Sequence, residues 1–171
     1  AAKTQNSWIT WYNEQRKVFA SASDVYSWSK TASDEALASV RNDFLESFLC
    51  LSTRLSYEKG SLEGTVTQHY GSTVVSPTKK RLSIPVYDGV NIVDVLDDKN
   101  GLAFVRAYFG THDEKGNILR TLERLSGNLR TAISVYTPDQ ERRDKFSERA
   151  SFLGSGGSGW SCQNLGLGQV L

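Results

Sequence analysis

The run Gly154-Ser155-Gly156-Gly157-Ser158-Gly159 divides the chain into two unequal parts. A pure glycine–serine stretch has no side chains to pack and behaves as a flexible connector. Before it lie 153 residues, enough for one domain with its own hydrophobic core. After it lie twelve, Trp160 to Leu171, too few to enclose a core but enough to be a ligand. The run resembles a designed fusion linker. The sequence therefore reads as a single α+β peptide-binding module over 1–153, a Gly/Ser linker over 154–159 and a tethered, partner-derived peptide over 160–171.

The dodecamer carries apolar anchors at Trp160, Leu165, Leu167, Val170 and Leu171. Leu165, Leu167 and Gln169 share a face if it is extended; Leu167, Val170 and Leu171 share one if it is helical. Gly166 and Gly168 each lower helix propensity by about 1 kcal/mol, which favours an extended or mixed conformation. A short tether raises the local concentration of such a peptide to the order of millimolar. The linker spans roughly 15 Å root mean square and about 20 Å at full stretch. That places the binding groove near the end of the last helix of the module.

Along the module, Ser7 to Trp28 carries a helical stripe that includes Trp8, Trp11 and Tyr12. Ser33 to about Ser56 reads as a second helix, capped by Ser33 with Asp34 and Glu35 in its first turn, and pairs with the first as a hairpin. The segment Leu62–Val75 has β composition, and Leu82–Tyr87 reads as a short strand with an edge-compatible Pro85. Asp88-Gly89 is a turn signal, Ile92–Leu96 suits a strand or one helical turn, and Asp97 to Gly101 reads as a turn. Leu102–Phe109 and Asn117–Leu122 are expected as strands of an antiparallel meander. Thr137-Pro138 signals a final helix to about Phe152, with its charged middle, Arg142-Arg143 included, on the surface. The expected fold class is α+β: an N-terminal helical hairpin, a central antiparallel sheet and a C-terminal helix.

Chemical motifs are scarce. Phosphate-loop and nucleophile-elbow spacings are absent, so no cofactor is indicated. The two cysteines, Cys50 and Cys162, and the two histidines lack paired ligand spacing, so no metal is expected. Twenty basic residues against nineteen acidic ones leave a formal charge of +1, without the reach expected of a nucleic-acid binder. The apolar runs are too short to span a membrane. Composition leaves cytoplasmic and periplasmic or secreted locations open, and is silent on oligomeric state.

The function expected from these features is non-enzymatic: an adaptor or chaperone-like module that captures a short apolar segment of a partner protein. The peptide could add as a strand at the edge near Leu82–Tyr87 or Leu62–Val75, or fill a groove between a helix and the sheet. Pro85 lacks a donor, which favours the groove, with Trp8, Trp11, Tyr12, Val86 and Tyr87 as its candidate walls. A subunit of a larger assembly with its own tail is the first alternative. A small enzyme using His69, His112 and Asp113 is the second, and requires those side chains to converge.

Overall fold

In a computed structural model, residues 21–43, 48–70, 73–74, 80–129, 133–156 and 159–166 are described. Trp8, Trp11, Tyr12, Leu167, Val170 and Leu171 lie outside that set.

Helix α1, Ala22–Thr31, begins at a capping box: the Ser21 hydroxyl accepts from the Asp24 N–H at 3.0 Å, and the Asp24 carboxylate accepts from the Ser21 N–H at 3.1 Å. Ser21 has extended backbone, so a helix running unbroken from Ser7 to Trp28 does not form. Helix α2, Asp34–Asp43, starts where expected, with the Ser33 hydroxyl accepting from the Ala36 N–H at 3.1 Å. It does not continue to Ser56. Residues Phe48–Tyr57 form strand β1 instead. The leucine stripe there fits a helical period, but Leu51, Thr53, Leu55 and Tyr57 also fit a period of two, and all four are buried. Strand partners on both sides, β2 next along the chain and β8 about a hundred residues on, choose the second period.

The next elements are β2 (Glu63–Thr67), β3 (His69–Tyr70), β4 (Thr73–Val74), β5 (Leu82–Ser83) and β6 (Asp88–Asn91). Gly89 has φ of 72° at a register irregularity inside β6, so Asp88-Gly89 makes a bulge rather than a turn. Helix α3, Ile92–Asp97, follows directly. Asp98 then caps helix α4, Lys99–Tyr108, its carboxylate accepting from the N–H groups of Asn100 at 3.0 Å and Gly101 at 3.1 Å. The expected strand Leu102–Phe109 is therefore helical. Gly101, Phe104, Val105 and Tyr108 are buried at helical spacing, which outweighs the β propensity of Phe, Val and Tyr.

The expected strand Asn117–Leu122 is likewise helical, within α5 (Lys115–Ser126). Ile118, Thr121, Leu122 and Leu125 face the core, and Gly127 at φ 85° ends the helix in the left-handed conformation. Strand β7 is Ile133–Tyr136. Helix α6 is only Gln140–Lys145, capped by Asp139 rather than Thr137, and it does not reach Phe152. Strand β8, Glu148–Gly156, takes over, and strand β9, Gly159–Gly166, follows it.

The fold class is α+β, with a helix pair at the N-terminal side, a largely antiparallel sheet and a helix towards the C-terminus. Among the described residues the main sheet has seven strands in the order β5-β2-β1-β8-β9-β7-β6, while β3 and β4 make a separate two-stranded ribbon. All pairings in the main sheet are antiparallel except β7 with β9. Helices α1 and α2 both pack on α5, α1 reaches β1, and α4 reaches β2 and β5. Val25, Leu37, Val40, Leu55, Ile84, Leu96, Phe104, Ile118, Leu122 and Val135 belong to one buried core.

Arg143, expected at the surface, is fully buried. Its guanidinium lies 4.4 Å from the centre of the Tyr57 ring. It donates to the carbonyls of Pro138 at 2.7 Å, Pro85 at 3.0 Å and Leu62 at 3.4 Å. Burial lowers its pKa from the ordinary arginine value, and the neighbouring Arg149 charge adds to that. The charge density of α6 suggested solvent on every side, but a one-and-a-half-turn helix docked on loops turns one side inward, and Arg143 is on it.

Candidate functional site

Among the described residues, two places have the geometry of a site. The first is the seam occupied by β9. It pairs antiparallel with β8 from Arg149↔Gly166 to Gly156↔Gly159 and parallel with β7 through Ile133↔Trp160, Ser134↔Ser161 and Val135↔Cys162. Gly154, Ser155 and Gly156 thus belong to β8 and Gly159 to β9, so most of the Gly/Ser run lies within paired strands. Residues 159–166 add to neither of the two edges expected from sequence. They run between β8 and β7, as an interior strand of the sheet. Trp160 is paired with Ser155 and Ile133, and Leu165 with Ala150.

The expected groove residues within the described set stand elsewhere. Val86 is exposed, and Tyr87 is half-buried with its ring 6.5 Å from Phe104 on α4. The Tyr87 N–H donates to the Thr137 hydroxyl at 2.7 Å, and the Tyr87 carbonyl accepts from the Thr137 N–H at 2.9 Å. Both precede β6, and β7 stands between β6 and β9. Burial, with Asp98 nearby, raises the Tyr87 pKa. Cys50 on β1 pairs with Phe152 of β8, and Cys162 on β9 pairs with Leu153 of β8. One strand separates them, so their Cα atoms are about 9–10 Å apart, beyond the reach of a disulfide.

The second place is a cleft of about 350 Å³ between the end of α1 and the face of α5, lined by Lys30, Asp113, Asn117, Arg120, Thr121 and Arg124. Its anchor is Asp113. The Tyr26 hydroxyl donates to the Asp113 carboxylate at 2.7 Å, and Lys30 forms an ion pair with the same oxygen. Arg106 Nε donates to the Asp113 carbonyl at 3.0 Å. These contacts explain the titration behaviour. Lys30, then Tyr26, hold the Asp113 carboxyl below the usual carboxylate range. Burial, reinforced by Asp113, pushes Tyr26 up to about 12.

No protein family, curated protein or solved structure matches this chain.

The chemistry of this cluster is therefore read from its geometry alone. His112 is exposed while Asp113 turns to Tyr26 and Lys30. His69 is in β3, and its side chain lies outside the described residues. Asp113 remains ionised at neutral pH and Tyr26 remains protonated, a pairing suited to holding structure rather than to moving protons. Tyr26 was legible in the sequence only as part of a helical stripe, and Lys30 carried no signal at all. Their meeting with Asp113 depends on α1 packing beside the loop before α5. Among the described residues no three His, Cys, Asp or Glu side chains gather as a metal site, and no helix is long and apolar enough to cross a membrane.

The pH response follows from the directions of the shifts. The Tyr26 contribution is complete below the ordinary tyrosine value of 10.0 and is lost as pH rises towards about 12. The Asp113 contribution is present above the ordinary carboxylate value and is lost as pH falls below it. Tyr26→Phe is expected to remove an alkaline stability loss on the order of 2 kcal/mol. The check is urea unfolding of parent and variant at matched pH from neutrality to about 12. Parallel curves for the two proteins would contradict the assignment.

Proposed function

We propose that the chain is a binding module that accepts an extended segment of a partner protein as a strand, with residues 159–166 marking the place that segment takes. The observation that carries the reading is the position of β9, paired on one side with β8 and on the other with β7. Withdrawing one strand from the interior of a sheet leaves two facing rows of unpaired N–H and C=O groups. A seam of that kind selects for an extended backbone of matching length. Main-chain hydrogen bonds supply affinity there and alternate side chains supply specificity. The reading keeps the non-enzymatic, peptide-capturing role expected from the sequence and replaces the helix–sheet groove with strand insertion.

The test is to nick the chain within Gly157-Ser158 through an introduced protease site. The two fragments are expected to co-elute and to separate in urea. The released C-terminal piece is then expected to rebind saturably below about millimolar concentration. Two results would overturn the reading: a remainder that stays folded yet does not rebind the peptide, or one that unfolds once the peptide leaves. In the second case β9 is simply a strand of the module's own fold.

A further inference from the structure

We infer that the cleft lined by Lys30, Asp113, Asn117, Arg120, Thr121 and Arg124 binds a small phosphate-bearing ligand of the phosphomonoester class. Three cationic side chains and one carboxylate line it, and with the Asp34 carboxylate 3.6 Å from Arg124 counted, a local surplus of one positive charge remains. The one carboxylate, Asp113, already receives Tyr26 and Lys30 on the same oxygen. Donors in the cleft therefore outnumber acceptors.

The surplus is ordered by the fold. Arg124 is held across the end of α1, donating to the Ser29 carbonyl at 2.6 Å and the Lys30 carbonyl at 2.7 Å, and also to the Ala32 carbonyl. Its guanidinium is thus fixed before any ligand arrives. Arg120 gives one N–H to the Asn117 side-chain oxygen, which leaves most of its five donors uncommitted and orients the Asn117 amide nitrogen as a further donor. Thr121 donates its hydroxyl hydrogen to the Asn117 carbonyl at 2.9 Å. Lys30 retains donors beyond the one given to Asp113. Arg and Lys around an open pocket with oriented amide N–H groups match the tetrahedral oxygens of a phosphoryl group. A volume of about 350 Å³ also leaves room for an organic substituent on the phosphate.

Inorganic phosphate is the probe, titrated into the full chain with amide chemical shifts as readout and acetate at equal ionic strength as the comparison. Saturable shifts at Asn117, Arg120 and Thr121 are expected with phosphate, together with weak or linear ones with acetate. Arg120 is exposed, so its substitution leaves the core untouched. Arg120→Ala is expected to weaken phosphate about tenfold, and Arg120→Glu to abolish saturation. The inference fails if phosphate produces no saturable shift at these residues, if acetate matches it, or if R120E binds as the parent does. Each of these outcomes is read with β9 in place and is independent of the strand-insertion test.

Discussion

Proline at position 161 is expected to unseat β9. Ser161 is flanked on both sides, by Gly154 of β8 and by Ser134 of β7. Every backbone N–H of an interior strand points to one neighbour or the other, and proline has none to give. The missing ladder bond and the ring's steric demand together cost about 2–3 kcal/mol. In the intact chain Ser161→Pro should lower the unfolding free energy by that amount. In a peptide supplied separately it should weaken association by roughly 30- to 150-fold. Ser161→Ala keeps the N–H and is the matched control. If proline and alanine behave alike in urea unfolding and in peptide titration, the backbone of residue 161 is not in a ladder, and the strand-insertion proposal loses its physical basis.

Removing the Arg143 side chain is expected to be the most damaging single truncation outside the apolar core. It links three carbonyls from separate loops, Leu62, Pro85 and Pro138, and stacks against Tyr57. Arg143→Ala leaves a cavity and takes the guanidinium donor from the buried Pro138 carbonyl, while Leu62 keeps the Ile84 N–H and Pro85 the Thr137 hydroxyl, a loss of about 2–4 kcal/mol. Arg143→Lys should recover little, because a single ammonium cannot address three diverging acceptors in the plane of a guanidinium. Arg143→Met fills the volume without the donors and should fall between alanine and the parent. The measurement is the urea midpoint at constant slope, which should drop by roughly 1 M or more for R143A. An unchanged midpoint would mean that the residue is solvated after all.

Some of the fold was open to inspection in the linear chain because local chemistry alone specifies it. Ser33, Asp34 and Glu35 announce the start of α2 at the position where it begins. The β-rich composition after Leu62 becomes β2, β3 and β4. The errors share a cause. Leu51 and Leu55 fit a helix and a strand equally well, and Phe104, Val105 and Tyr108 carry strand propensity on helical spacing. Where two periods coincide, packing partners decide between them, and for β1 one of those partners, β8, lies about a hundred residues away. The same holds for two of the three acceptors of Arg143, Leu62 and Pro85.

The glycine–serine run shows the division most sharply. Composition established that nothing there can pack a side chain. The ladder from Arg149↔Gly166 to Gly156↔Gly159 places Gly154, Ser155, Gly156 and Gly159 in paired strands. Composition is compatible with a loose tether, and only the ladders show that four of these six residues are held in strands.

By itself, the sequence determined the α+β class, the start of α2, the β character of the segment that begins at Leu62 and the presence of a short apolar terminal segment. Tertiary structure alone decided that β1 is a strand, that α4 and α5 are helices, that Arg143 is inside, that Lys30, Asp113 and Arg120 line one cleft, and that residues 159–166 lie between β8 and β7. The physical reason is that caps and composition act over a few residues. Sheet ladders and buried donors are satisfied only by partners that folding brings from elsewhere in the chain.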